Sequence, residues 1–461
     1  MQQGRRRVDP GRGRRDTVFH SRGAECASRM CGAGQCRRTA PLGTRLAAPP
    51  PSMQGAPLEP DWTCPFCSLL CDGFALAGDT LQGSDCPRAR AGLAAHAGDP
   101  APVCLVDGEQ ASLDAAVIEA ARRLARWQQP LFGGLGTDVA GARALFRLAE
   151  ATGAVYDHAD GDALMHGLRA LQDHGQYHTT LAEVRARADL VVCVGTQAVA
   201  HYPEFFRRCG MDRPETPLRQ LVFLGVTPPA VLPAGVPCTG IAGSGDGFAD
   251  LQQLAVLVAQ RPCREPDPQL AQLASDLRAA RYAVLVWESG ALPLHGALWV
   301  EMLNRIVATL NRSTRAASFS LGGSDGGYAM QQVFTWLSGL PLRTRAGPAG
   351  LEHEPLRFAA ARLLRDRAVD GLLWVWSFAP DRLTPTADLP TIVLAPPGMG
   401  PRLQAMRDCV FVPVATPGLH AAGHLFRTDG VVVPLVAQRA ADLPSVAQVV
   451  TRLIAPRELS E

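Results

Sequence analysis

From about residue 100 onward, short apolar runs alternate with longer stretches whose apolar residues recur every three or four positions. "APVCLVDG" reads as a strand, and "SLDAAVIEAARRLARW" as an amphipathic helix capped by Ser112. "PLFGGLG" predicts a short apolar strand ending in glycines, and "DVAGARALFRLAEATGA" the next helix. "DLVVCVG" and "LRQLVFLGV" are continuous apolar runs of the kind that become strands covered on both faces. Helices follow at 248–259 and 268–280. A second alternating block opens with "YAVLVWESG", the helix "LWVEMLNRIVATLN" and the strand "RAASFSLGG". It continues with helices at 331–337 and 356–365 and strands "GLLWVW", "TIVLAP" and "CVFVPV". Strands that alternate with helices predict parallel α/β sheets.

The segment "QRPCREPDPQ" is rich in Pro and charge, and it sets the expected boundary between two α/β units. The expected organisation is a basic tail (1–57), a Cys-rich lobe (58–100), a first α/β domain (101–265) and a second with a C-terminal segment (266–461). No apolar run reaches the length of a membrane span, which predicts a chain with no membrane partner.

Charge changes this picture at one end. Residues 1–52 hold eleven Arg against Asp9, Asp16 and Glu25, a net of +8; the whole chain is +2, so the remainder carries −6. A mildly acidic body argues against nucleic-acid binding. The basic stretch has no periodic apolar face and cannot bury enough surface to fold. It reads equally as a disordered tail or as sequence preceding a start at Met53. Arg14–Arg15 suggests twin-arginine export, but no apolar stretch follows it. The expected location is therefore cytoplasmic, with most thiols reduced.

The chain has no lysine, so all 45 basic residues are Arg. This excludes a lysine Schiff base and a P-loop of the GxxxxGK[ST] type. Among the thirteen cysteines, Cys104, Cys193, Cys238, Cys263 and Cys409 are scattered and read as small core hydrophobes. Cys26, Cys31 and Cys36 lie in the tail with no scaffold around them. Cys64, Cys67, Cys71 and Cys86 differ. They form a C-x2-C-x3-C-x14-C pattern, in which close spacing lets several thiolates converge on one soft metal centre. Zinc ribbons use two C-x2-C pairs, so a four-thiolate iron–sulfur cluster fits better; zinc stays as the alternative, and reduced cysteines left after loss of a cluster as the third reading.

This Cys pattern followed by serial α/β units resembles the molybdopterin oxidoreductase superfamily, and within it the B-type subunit of formylmethanofuran dehydrogenase. "CPFCSLLCDGF" is similar to that subunit's opening, and "ADLVVCVGTQAVAHYPEFFRR" to its strand-and-loop segment, with His201-Tyr202-Pro203. "LGGSDGGYAMQQVFTWLSGLPLRT" resembles its Gly-rich stretch, with Trp336 and Gly339-Leu340-Pro341. "TPGLHAAGHLFRTDGVVVPL" is similar to its C-terminal segment, with Arg427-Thr428-Asp429-Gly430. The resemblance covers residues 60–440. It implies a molybdopterin-oxidoreductase-like fold of two parallel-sheet α/β units behind a small Cys-rich lobe, without a C-terminal β-barrel. It also implies a 4Fe–4S cluster on Cys64, Cys67, Cys71 and Cys86.

A single departure redirects the expected function. In the active family a Cys binds molybdenum or tungsten beside a His that assists proton transfer; the matching place here, "ALMHGLRALQDHG", keeps His166 but has Met165 for the Cys. A thioether carries no negative charge and is a poor ligand for a hard, high-valent metal. The substitution argues against molybdopterin or tungstopterin chemistry and makes His166 vestigial. The resemblance then implies the homologous bacterial formyltransferase/hydrolase complex of tetrahydromethanopterin-linked formaldehyde oxidation to formate. There the chemistry belongs to the amidohydrolase-like and transferase subunits, and the one resembling this chain is mainly architectural. An active metallopterin dehydrogenase with another ligand is the alternative.

Glycine loops at Gly195 and at Gly322, Gly323 and Ser324 follow apolar strands and would expose N–H groups to a pterin pyrophosphate, though any α/β turn favours glycine. "GGSDG" also matches the GxSxG elbow, with Asp381 and His420 in hydrolase order, so a serine hydrolase at Ser324 is a third reading. His174/His178 and His420/His424 have i,i+4 spacing, but intervening glycines argue for surface histidines over zinc ligands.

Overall fold

The computed structural model describes residues 62–458 apart from 383, 386 and 387. The expected basic tail, Met53, Cys26, Cys31 and Cys36 lie outside these residues. Two sheets carry the fold. The first has five parallel strands in the order Arg315–Leu321, Tyr282–Glu288, Leu190–Val194, Gln220–Leu224 and Cys238–Ile241. Leu190–Val194 shows why it forms: all five residues are buried, Val191 and Cys193 on one face, Leu190, Val192 and Val194 on the other. Helices Gly247–Val258, Pro268–Ala279 and Gly296–Leu310 cover the second face. Asp246 and Asp267 cap the first two by accepting two main-chain N–H bonds each.

The second sheet has nine strands. Its centre is parallel: Val155–Tyr156, Pro130–Gly136, Gly371–Trp376, Thr391–Ala395 and Cys409–Pro413. Antiparallel pairs finish both edges, Cys104–Val106 with Glu109–Ala111 at one and Thr344–Gly347 with Gly350–His353 at the other. A register shift between Trp374 and Trp376 bends the strand pair at the end that faces the site.

The sheets correct the expected domain boundary. One sheet draws on residues 190–321 and the other on 104–156 and 344–413, so a cut at 265/266 would sever both. The described residues belong to one compact unit. "QRPCREPDPQ" is an exposed connection between two helices on the same sheet face, and its Pro and charge reflect exposure, not a linker. The helix expected at 356–365 is shorter, Ala360–Arg365.

The Cys-rich segment forms a hairpin (Ala75–Ala77 with Thr80–Gln82) and the helix Pro87–Ala95. It packs on the five-stranded sheet: Trp62, Phe66, Phe74 and all four cysteines share a core with Val191, Phe223, Val284 and Phe319. No helix among the described residues is long and apolar enough to cross a membrane.

Candidate functional site

Strand order locates the site. In the five-stranded sheet the chain departs in opposite directions from the neighbours Leu190–Val194 and Tyr282–Glu288; in the nine-stranded sheet it does so from Pro130–Gly136 and Gly371–Trp376. Loops leaving the carboxyl ends of such neighbours diverge and open a crevice. Both crevices face one cleft of about 670 Å³. The first sheet contributes His201, Tyr202, Glu288–Gly290 and Gly322–Asp325; the second contributes Ala159, Asp160, Asp162, Ala163, Leu164, His166 and Arg382; the Cys lobe contributes Arg88.

Its polar groups are interlinked. Glu288, 8% exposed at its side chain, accepts from the Thr196 hydroxyl at 2.9 Å and meets His201 Nδ1 at 2.7 Å. Arg88 donates from Nε to the Phe66 carbonyl (2.8 Å) and from Nη1 to the His201 carbonyl (3.1 Å); Nη2 lies 3.9 Å from Asp325 Oδ2. Ser324 Oγ accepts from the Ser68 N–H at 3.3 Å and bonds Tyr202. Arg88, in the helix Pro87–Ala95, therefore ties the Cys64–Cys71 segment to the cleft. It stands two residues after Cys86, and nothing in the sequence pattern singled it out.

Burial outweighs Arg88 at Asp325 and raises its carboxyl to about 6. A pKa raised in the folded state adds stability while the group is protonated, and that stability is lost as pH climbs through about 6. Asp325→Asn is expected to gain on the order of 2 kcal/mol at neutral pH and little at about pH 4. Urea unfolding at both pH values checks this; equal destabilisation at both would refute it.

The four cysteines share one buried lobe. Cys64 donates its N–H to the Cys71 carbonyl (2.9 Å), and Leu70 donates to the Cys67 carbonyl (3.1 Å) with a left-handed φ of 42°. Cys86 is the residue before the helix Pro87–Ala95. All four are buried. Burial first, then the neighbouring thiols, drives Cys64 well up, and burial lifts Cys67 to about 11 against the pull of Arg88. Thiolates in such surroundings need a cationic centre. Among the described residues no three of these sulfurs lie within 4.8 Å of one another. On tetrahedral zinc they would stand about 3.8 Å apart, from Zn–S bonds of about 2.3 Å.

The other predicted residues separate. Met165 and His166 sit side by side on the helix Gly161–His174 and point apart. His166 lines the cleft, while Met165 is 4% exposed in the core that includes Leu145, Tyr156 and Phe334. Among the described residues no cysteine lines the cleft, so its donors do not fit a thiolate-anchored metallopterin. Gly195 lines a neighbouring cavity of about 320 Å³. The glycines near Ser324 have packing reasons. Gly326 is left-handed (φ 81°), and a Cβ there would come within 2.2 Å of the Thr137 carbonyl oxygen. The hydrolase reading fails on geometry. Positive φ falls on Gly323, Asp325 and Gly326, not on Ser324, whose hydroxyl is shared with Ser68 and Tyr202. His420 lies beside His96 and Asp99. His174 is exposed and pairs with Glu301 at 3.2 Å. Glu288 and Arg382 were not anticipated; the available signal was a carboxylate closing a wholly apolar strand, "YAVLVWE".

No family model matches the chain. It is similar to the B subunit of the formyltransferase/hydrolase complex Fhc of Methylorubrum extorquens, with 29% identity over 368 residues, 76% of this chain and 96% of that protein. It is also similar to the B subunit of tungsten-containing formylmethanofuran dehydrogenase 2 of Methanocaldococcus jannaschii, with 24% identity over 83% of this chain and 93% of that one. Among solved structures it matches a chain of the FhcABCD formyltransferase/hydrolase complex from M. extorquens, crystallised with methylofuran. The TM-score is 0.67 at 28% identity, covering 77% of this chain and 99% of that one.

Proposed function

We propose that this chain, a homologue of the FhcB protein of the formyltransferase/hydrolase complex, fills the same place in such a complex, joined to its other subunits in the cytoplasm. In tetrahydromethanopterin-linked oxidation of formaldehyde to formate, its part is architectural, and formyl transfer and hydrolysis belong to its partners. The observation that carries this reading is Met165. The position where the resemblance expects an ionisable metal ligand holds a neutral thioether, and that thioether is turned into the core. The oxidoreductase alternative requires a metal ligand other than a thiolate, since among the described residues no cysteine lines the cleft.

The four cysteines fit a 4Fe–4S cluster better than zinc, on their four-thiolate donor set, their burial and a C-x2-C-x3-C-x14-C pattern unlike the paired C-x2-C of zinc ribbons. Bound there, a cluster would supply positive charge for the buried thiolates and would hold the two Cys loops and the start of the helix Pro87–Ala95 together. With no metallopterin beside it, its role is structural.

Coexpression with the proteins encoded alongside is the test. The expected result is a stable multi-subunit complex on size exclusion, with iron and acid-labile sulfide but no stoichiometric molybdenum or tungsten. A stable lone monomer in the presence of those partners would refute the architectural role. Stoichiometric molybdenum or tungsten with dehydrogenase turnover would restore the redox reading.

A further inference from the structure

His96, Asp99 and His420 bring one ligand atom each to within 4.8 Å of one another. They come from distant parts of the chain. His96 and Asp99 follow the lobe's helix Pro87–Ala95, and His420 sits in the loop after the strand Cys409–Pro413. The i,i+4 partner that the sequence offered for His420 was His424, which instead lies in the strand Gly423–Phe426.

The hydrogen bonds around His96 decide what the cluster needs. His96 is buried, and its Nε2 lies 2.9 Å from the Phe378 carbonyl oxygen. A carbonyl only accepts, so Nε2 carries the hydrogen. The Nδ1 lone pair then faces Asp99 Oδ2 at 3.2 Å. Two acceptors at that distance require a cation between them, either a proton or a metal ion. A proton would serve the pair alone; the His420 ring brings a third donor atom within 4.8 Å of both, which a metal ion would use. The His420 ring stands edge-on to His96 at 5.5 Å. It is held by a long contact from the Thr416 N–H to Nδ1, at 3.4 Å. Arg439, the other charge that faces the group, is engaged. It donates to the His96 carbonyl at 3.0 Å and to Asp79 at 2.6 Å.

We infer that His96, Asp99 and His420 form a binding site for a divalent transition-metal ion, separate from the four cysteines. Two imidazoles and one carboxylate are a borderline-soft donor set that leaves coordination positions open to water. The Nε2–H bond to Phe378 is the outer contact that metal-ligating histidines make to fix ring orientation. The ion would tie the end of the Cys lobe to the C-terminal segment.

Purified full-length protein is stripped with chelator and titrated with Zn2+ alone, alongside Asp99→Asn and His420→Gln. The expected result is that both variants bind one zinc equivalent fewer and lose the rise in Tm that Zn2+ gives the wild type. Cobalt(II) separates this site from the thiols. Its visible bands here should lack thiolate-to-cobalt charge transfer in the near ultraviolet, and any thiolate-type spectrum should survive in both variants. Equal zinc uptake by all three proteins, or a cobalt spectrum of thiolate type alone, would overturn the site. Should either variant misfold by circular dichroism, the wild-type cobalt spectrum gives the decision.

Discussion

Arg343→Met is expected to destabilise the protein by about 3–5 kcal/mol, because it strands a buried carboxylate. The Arg343 side chain is 4% exposed and that of its partner Asp157 is 3% exposed, with Nε 3.1 Å from Oδ1. Nη1 donates to the Pro355 carbonyl at 2.7 Å, and Nη2 reaches Asp162 Oδ1 at 2.6 Å. Asp157 also accepts from the Ala360 N–H at 2.8 Å, yet burial still raises its carboxyl to about 6. Its ionised form at neutral pH therefore depends on the guanidinium. Asp162 lies in the first turn of the helix Gly161–His174, so Arg343 also fixes the helix that turns Met165 inward and His166 into the cleft. Gly161 shows how tight this junction is: a Cβ there would come within 2.1 Å of Asp157 Oδ1.

The second variant makes the cause testable. Asp157→Asn removes the charge that Arg343→Met strands, so the double variant should recover part of the loss. Urea unfolding of the two single variants and the double variant gives the coupling energy. Strict additivity would mean that the damage in Arg343→Met comes from lost packing instead of an unpaired carboxylate.

How far these features were readable depends on whether their cause is local. Leu190–Val194, Tyr282–Glu288 and Thr391–Ala395 stand out as apolar runs because both faces of each strand are covered. The hairpins Thr344–His353 and Gly423–Leu435 escaped, since their short strands are partly exposed and carry glycine. The domain boundary went wrong because strand neighbours are chosen non-locally: Gly371–Trp376 inserts beside Pro130–Gly136. The site shows the same division. Gly322–Ser324 follow an apolar strand and drew attention for that reason, and His201 and Tyr202 did so through the family resemblance of their segment. Arg88 and Arg382 join them only through folding, and so does the pairing of His420 with His96. The four cysteines were legible because a metal-type spacing is written into the chain itself.

Trp62→Ala is expected to cost about 3–5 kcal/mol, and the loss should fall first on the Cys lobe. Trp62 is fully buried, and its main-chain N–H donates to the Phe74 carbonyl at 2.7 Å. The ring meets Phe66 edge-on at 6.1 Å, and the indole N–H donates to the Gly418 carbonyl at 2.8 Å. One side chain thus fills the core between lobe and sheet and bonds the lobe to the C-terminal segment that carries His420. Trp62→Phe keeps most of the ring but leaves the Gly418 carbonyl without its donor, and should cost about 1–3 kcal/mol. The ordering Ala worse than Phe worse than wild type is read by urea unfolding. Location is read by thiol chemistry on metal-free protein: in Trp62→Ala, Cys64, Cys67, Cys71 and Cys86 should react with a disulfide reagent before Cys193 and Cys209, which stay buried beneath the sheet face. Simultaneous reaction of all six would mean that the lobe and the five-stranded sheet unfold as one unit and that Trp62 holds no separable joint.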